Sequence, residues 1–365
     1  MTWATTEFQS LFAEPSRNGV YKSKEHHGSG FKVINMGELF RHDRIGCQEM
    51  ARLQMTDREL LKAAVVDGDL LFGRRSLVEE GAGRCALAWG IEEPTVFESS
   101  IIRVRLSHAV ADPLFYFYYF RSPVGRARIR SIVGGATVKG IRGSDLQRIE
   151  VDQPPLDIQE RIASRLRHFD DLIEANRRRI ALLEESAQLL YREWFVNLRF
   201  RGYELLRLVD GLPEKWRVTT YGDIVDAIGG ATPSSKRLDY WNGDVVWLTP
   251  TDVTRNDCLY LSDSARRITE TGYESCSTKL LPPGTIFMTS RASIGYFALL
   301  DQPACTNQGF IAVVPKLRNC RNYLLFNLMN RVDEFNAKAT GSTFKELSRP
   351  LTARCHISGF SGLRQ

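Results

Sequence analysis

The sequence predicts an α+β protein made of two copies of one strand-rich domain separated by a long helix of coiled-coil type. Three observations carry this prediction. Residues 156–195 hold a helical heptad seam that no Gly or Pro interrupts, and four landmarks of the N-terminal part recur in the same order roughly 210 residues later. Each copy also mixes short apolar runs with Gly and Pro punctuation, as strands and turns do. At 365 residues and 43% hydrophobic, the chain can build two or three domains with sizeable cores.

The first copy, residues 1–153, opens with a loop at Gly28 and Gly30 followed by a strand-like run from Phe31. The second, residues 205–349, has Gly243 followed by an apolar run that includes Val245, Val246, Trp247 and Leu248. A turn before an apolar run then places Gly68 ahead of Arg74 and Arg75, and Gly284 ahead of Arg291. Gly68 matches Gly284 and Arg75 matches Arg291, both at an offset of 216. Apolar strands over 97–106 and 309–314 each lead into an aromatic-rich segment of helical length, residues 113–120 and 323–335. Last, Gly135, Thr137 and Lys139 match Gly341, Thr343 and Lys345 at an offset of 206.

Between the copies lies the helix, within residues 154–200. Its seam is Ile162, Leu166, Phe169, Ile173, Asn176, Ile180, Leu183, Ala187, Leu190 and Trp194, spaced alternately by four and three. Asp157 reads as its N-cap with Glu160 completing a capping box. At 1.5 Å per residue it would be roughly 60 Å long. A lone helix with such a seam exposes too much apolar surface and needs a partner helix. Asn176 would fix register at some cost in stability. The other reading is a long core helix of one globular domain, although core helices usually run about 8 to 20 residues.

Seven cysteines are scattered without a Cys-x-x-Cys pair, which reads as thiols in a reducing, cytoplasmic setting rather than disulfides or a zinc site. No apolar run is long enough to cross a membrane. The net charge of +6 is concentrated. Arg121, Arg126, Arg128, Arg130, Lys139, Arg142 and Arg148 face a single acid, Asp145, in one short segment, the footprint expected for a phosphate backbone or for a solvated basic face. There is no Walker A run, and Gly81-Ala82-Gly83 lacks the strand and helix that a dinucleotide site requires.

The residues resemble the DNA specificity (S) subunit of type I restriction-modification enzymes. Pro154-Pro155-Leu156 with Gln159, Ile162, Asp170, Asp171, Ile173, Asn176, Leu183, Leu190 and Trp194-Phe195 is similar to that family's central region. Leu212-Pro213-Glu214-Lys215-Trp216, Gly229-Gly230-Ala231-Thr232-Pro233-Ser234, Tyr240-Trp241-Asn242-Gly243 and Trp247 resemble the opening of its second target-recognition domain. The resemblance implies a cytoplasmic DNA-binding subunit with two target-recognition domains. Each would read half of a bipartite double-stranded DNA site, and the helices would set the gap between the halves. It also implies docking of modification (methyltransferase) subunits, which bind S-adenosylmethionine and flip an adenine out of the duplex, and of ATP-dependent restriction subunits. The chain itself would catalyse nothing and bind no metal or cofactor, since S-adenosylmethionine, ATP and Mg would belong to partner subunits.

Matching the repeats selects the residues expected at DNA: Arg74, Arg75, Thr137, Lys139 and Arg142 in the first copy, and Ser235, Lys236, Arg237, Arg291, Thr343 and Lys345 in the second. Two glycines before Thr137 would let the backbone approach a phosphate, or the same turn is a structural corner. Arg177, Arg178 and Arg179 are either a solvated face or a contact to partner or DNA. The pattern breaks at residues 350–365, where the second long helix of the family is missing. This aberrant tail reads as truncation or a frameshift, leaving the seam open to self-pairing. The alternative function is therefore a coiled-coil scaffold or regulatory remnant that reads no DNA.

Overall fold

The computed structural model describes residues 3–77, 79–214, 216–340, 347 and 356–358. The chain divides into two compact units, and the boundary falls after Leu172, inside the long helix. Thr343, Lys345 and most of the tail lie outside the described residues.

Unit 1 runs through β1 (Thr5–Glu7), β2 (Phe12–Asn18), β3 (His27–Ile34), α1 (Met36–Arg41), β4 (Arg44–Gly46), β5 (Arg52–Leu53) and α2 (Asp57–Ala63). It continues with β6 (Leu70–Gly73), β7 (Arg75–Ser76), β8 (Cys85–Trp89), β9 (Thr95–Phe97) and β10 (Ile101–Leu106). The helices α3 (Pro113–Arg121) and α4 (Pro123–Arg130), then β11 (Lys139–Gly140), α5 (Gly143–Arg148) and β12 (Glu150–Asp152), lead to α6 (Leu156–Tyr191). The strands form a five-stranded sheet in the order β2-β10-β6-β8-β4, a three-stranded sheet β5-β3-β9, and the pairs β1-β12 and β7-β11.

The core of unit 1 is aromatic. Phe8, Phe72, Tyr116 and Phe120 are buried, with Phe8 edge-on to Phe120 at 4.8 Å and Phe72 edge-on to Phe120 at 5.0 Å. Such pairs add about 0.5–1.5 kcal/mol each to the burial of their area. Asp112 caps α3 by accepting from the Phe115 N–H, with proline at the first helical position. One charged group lies where pattern alone expects an apolar side chain: Asp69 is fully buried and takes two bonds from Arg105, both 2.7 Å.

Unit 2 contains β13 (Leu208–Val209), β14 (Leu212–Pro213), β15 (Val218–Thr220), α7 (Tyr221–Ile224), β16 (Val225–Gly229), β17 (Trp241–Leu248), α8 (Pro250–Thr254), β18 (Arg267–Ile268) and α9 (Glu270–Glu274). Next come β19 (Ile286–Thr289), β20 (Phe297–Ala298), β21 (Cys305–Thr306), β22 (Phe310–Pro315), α10 (Arg321–Met329), α11 (Val332–Lys338) and β23 (His356–Ser358). Its sheets are β16-β22-β19-β20 and β18-β17-β21, with the pairs β15-β23 and β13-β14.

The main strand pairings of the two units repeat. β3 pairs antiparallel with β5 and parallel with β9, and β17 does the same with β18 and β21. Even the irregularity recurs, between His27 and Phe31 in one and between Trp241 and Val245 in the other. Ile102 faces Phe72, and Ile311 faces Met288. Gly68 and Gly284 have φ of +89° and +85°, the left-handed region that glycine enters without strain, which is why both survive in the sequence pattern.

Two expectations need correction. The helix α6 starts at Leu156, with the Pro155 carbonyl accepting from the Ile158 and Gln159 N–H groups at 3.0 and 3.1 Å, so Asp157 is no N-cap. It stands in the first turn, where a carboxylate favours the helix dipole. The α-helix also ends at Tyr191, and a single π-helical turn, Arg192–Val196, follows it. The tail contributes one described strand, β23. In β23, Ser358, Ile357 and His356 face Val218, Thr219 and Thr220, in the register by which Asp152, Val151 and Glu150 face Thr5, Thr6 and Glu7. The repeat therefore extends past residue 349 to Ser358.

Candidate nucleic-acid interface

Four of the five sites chosen in the first copy come together. The Gly134 and Gly140 N–H groups each donate to the other's carbonyl at 2.9 Å, which closes the loop carrying Thr137. The end of that loop pairs with β7, setting Lys139 opposite Ser76 and Gly140 opposite Arg75. The Ile141 N–H donates to the Arg74 carbonyl at 3.0 Å. The result is a recess of about 430 Å³ whose lining includes Arg74, Arg75, Lys139, Arg142 and Asp145. Thr137 is exposed on the loop outside this lining. Four cations against one carboxylate on an open surface suit a run of phosphates.

The glycines have a local cause. Gly135 has φ of +101°, and a Cβ there would stand 2.2 Å from the Val138 carbonyl oxygen. At Gly140 a Cβ would stand 2.6 Å from the Arg74 carbonyl oxygen. Both glycines are thus required by the chain's own turn, which supports the structural-corner reading of the motif.

The basic segment is less free than its charge count implies. Arg126 turns inward and donates to the Gly83 and Glu80 carbonyls at 3.1 and 3.0 Å, and burial lowers its affinity for a proton. Arg121 pairs with Asp43 and lies 5.1 Å from the Phe117 ring centre. Arg128 and Arg148 line a neighbouring recess of about 540 Å³ that shares Ile132 and Asp145 with the first. The basic surface is therefore the face formed by Arg74, Arg75, Lys139, Arg142, Arg128 and Arg148.

In unit 2 the chosen residues are not gathered in one place. Ser235, Lys236 and Arg237 are exposed on the loop after Pro233. Arg237 presents its guanidinium to the Asp239 carboxylate at 2.9 and 2.8 Å and covers the Tyr240 ring, so its charge is largely answered at home. Accordingly Asp239 is held below the usual carboxylate range by Arg237. The loop is pinned by two indoles, Trp241 donating to the Ser234 carbonyl at 3.2 Å and Trp247 to the Ala231 carbonyl at 3.0 Å. Arg266 lies 3.8 Å from the Trp241 ring centre, an arrangement sequence spacing gave no sign of. Arg291 lines a separate recess of about 300 Å³. The Leu347 N–H donates to the Ser290 carbonyl at 3.0 Å, the bond by which Ile141 reaches Arg74 in unit 1.

The helix seam faces outward. Ile162 is half-buried, while Leu166, Phe169, Ile173, Asn176, Ile180, Leu183, Leu190 and Trp194 are exposed, Phe169 at 66% and Leu183 at 69%. The helix holds its units through other residues. Gln159, fully buried, accepts from the Asp112 N–H at 2.9 Å and donates to the Pro154 and Val110 carbonyls at 2.8 and 3.2 Å. Asp170 and Asp171 both receive Arg44, at 3.2 and 2.7 Å, and the Tyr118 hydroxyl donates to Asp170 at 2.7 Å. In unit 2, Tyr191 accepts from the buried Asn327 amide at 2.8 Å, and Glu184 accepts from the Leu259 N–H at 2.7 Å.

The carboxylate pair gives a pH signature. Asp171 lies below its usual value of 3.8, chiefly because of the Arg44 hydrogen bond. Its contribution is complete above that value and is lost as the pH falls through the lowered one. Thermal melting of the wild type and Arg44→Ala should therefore differ at neutral pH, and the difference should shrink as the pH falls from 3.8 through the lowered value. A constant difference down to that pH would refute the role.

A duplicated α+β unit with an arginine-lined recess, joined through a helix whose apolar seam is exposed, defines a DNA-binding protein of the target-recognition class. The type I restriction modification DNA specificity domain matches residues 7–185 and 213–350, and the chain belongs to that family. It is 41% identical over 138 residues to the type I restriction enzyme MjaIX specificity subunit of Methanocaldococcus jannaschii, covering 37% of this chain and 32% of that one. Against the EcoR124I/EcoR124II specificity subunit of Escherichia coli it is 32% identical over 160 residues, covering 40% of this chain and 38% of that one. The match thus spans about a third of the length of these two relatives. The fold is that of the type I restriction-modification system S subunit from M. genitalium, with a TM-score of 0.53 at 17% identity, covering 99% of this chain and 85% of that one. Among the described residues no helix is long and apolar enough to cross a membrane.

Proposed function

We propose that this chain is the non-catalytic, DNA-reading specificity subunit of a type I restriction-modification enzyme. Each unit reads one half of a bipartite double-stranded target, and α6, whose 36 residues span about 54 Å, sets the gap between halves. The observation that supports this best is the repetition of two sheets in one register, because two copies of one reader suit a target with two halves. Methyltransferase and restriction subunits dock on the helix, and S-adenosylmethionine, ATP and Mg act within those subunits. Methylome sequencing of cells carrying the chain with its modification subunit, compared with cells lacking the chain, tests this. A new bipartite adenine-methylated motif is expected; its absence with both proteins soluble would overturn the reading.

The exposed seam favours a second reading, in which the chain is a coiled-coil scaffold or regulatory remnant. Salt-dependent, sequence-selective binding to duplex DNA separates the two, because a scaffold would show neither property. Under both readings the seam pairs with another helix, from a partner subunit or a second copy. Leu166→Asp or Ile173→Asp is expected to abolish self-association, and an unchanged mass by light scattering would exclude self-pairing through the seam.

A further inference from the structure

The two units share a fold but finish one cleft differently. In unit 1 the space between α1 and the start of β10 is closed. The Met36 N–H donates to the Glu98 carboxylate at 2.6 Å, and the Phe40 ring reaches within 2.7 Å of where a Cβ on Gly81 would stand. Through the shared register, Met36, Phe40 and Glu98 correspond to Pro250, Thr254 and Asn307. Proline has no N–H to donate, a hydroxyl replaces the ring, and an amide replaces the carboxylate. The connection from β19 to β20 is also shorter, residues 290–296 against residues 74–84. What remains in unit 2 is the recess of about 300 Å³, lined by Thr251, Thr254, Arg291, Asn307 and Gln308 among others, with no carboxylate among the described residues that line it.

Gln308 stands exposed at this recess. Its Oε1 accepts from the Thr232 hydroxyl at 2.6 Å, while Asn307 is turned back by accepting from the Gly309 N–H at 2.8 Å. Thr232 belongs to the loop that also presents Ser235 and Lys236, so one segment orients the amide and offers phosphate contacts. Beside the recess, Ala292 holds φ of +60°, a conformation that costs a non-glycine residue energy and concentrates at functional sites.

We propose that Gln308 is the base-reading residue of unit 2 and recognises an adenine in the major groove. A carboxamide sets a donor and an acceptor side by side, and adenine presents the complementary N7 acceptor and N6 donor at that edge. The counterpart in unit 1 is Ser99, so the two halves are read by different chemistry. This inference rests on the chain's being a DNA specificity subunit.

The test compares methylomes of cells carrying the wild type, Gln308→Ala or Gln308→Glu with the same modification subunit. It is paired with binding to duplexes changed one base pair at a time. Gln308→Ala should lower discrimination at one A·T position in one half-site by roughly fivefold to a hundredfold and leave the other half-site intact. Gln308→Glu should move that position's preference toward cytosine, whose N4 group donates to a carboxylate. An intact half-site reports that the variant is folded. If Gln308→Ala proves insoluble, Thr232→Val, which removes the orienting bond, should relax the same position, and unaltered selectivity would overturn the proposal. A motif unchanged by both glutamine variants, or uniform weakening on every duplex, overturns the role of Gln308 while leaving the DNA-reading function standing. No motif with the wild type overturns both.

Discussion

Replacing Arg74, Arg75, Lys139 and Arg142 together with glutamine is expected to lower duplex DNA affinity by up to about 3.6 orders of magnitude at roughly 0.1 M salt. Each cation that neutralises a phosphate contributes about 0.9 to the slope of log affinity against log salt, or a little under tenfold at that concentration. The four line one recess on the surface of unit 1, and none anchors the core. The slope should flatten by up to about 3.6, and the loss should be the same on every sequence, because phosphate contacts carry no base information. Fluorescence anisotropy titrations at several salt concentrations check both expectations. An unchanged slope would remove this face from the interface.

The second large effect is on stability. Asn327 is 8% exposed, and its side chain joins three phenols: it donates to the Tyr191 hydroxyl at 2.8 Å and to the Tyr323 hydroxyl at 3.4 Å, and it accepts from Tyr221. Tyr221 is fully buried, and burial pushes its phenol far above the ordinary value. Asn327→Leu keeps the volume but removes the amide that these hydroxyls share, each lost bond costing roughly 1 kcal/mol, while Tyr221 keeps its hydrogen bond with Arg331. A total of about 3 kcal/mol is expected, which lowers the melting temperature of a unit this size by about 6–12 °C. Calorimetry should find the transition of unit 2 shifted and that of unit 1 unmoved; a shift under about 2 °C would mean that water replaces the lost amide.

The duplication was legible because it rests on backbone geometry. Gly68 and Gly284 mark turns that need positive φ, and Arg75 and Arg291 each follow a buried strand, so spacing alone aligned the copies. The heptad seam was legible for the same kind of reason, since its outward face is continuous along the helix. The parallel pairings β3–β9 and β17–β21 were not, because each joins strands some 60 residues apart through contacts that no local period records. Nor does sequence say which charges are already answered. Arg126, Arg121 and Arg237 look identical in a charge count to Lys139 and Arg142, yet each is tied to a carbonyl or carboxylate of its own unit. Asp170 and Asp171 stood out only as a motif, and their work is to grip Arg44. The amide recess in unit 2 goes with substitutions on two separate segments, Pro250 and Thr254 in one helix and Asn307 elsewhere, visible only when the two copies are compared position by position.

Residues 172–183 of α6, just past the Asp171–Arg44 pair, are exposed at every position. Such a run of about a dozen residues, taken alone, would form a marginal helix in water, because nucleation is costly and few turns follow to offset it. The middle of α6 is therefore helical because ordered turns propagate into it from Gln159 on one side and Tyr191 on the other. Its rigidity is conferred from both ends, and loosening either anchor lets fraying travel inward toward Asn176. A partner helix laid along the seam would do more than cover apolar surface: it would stiffen the exposed middle of α6 along its length.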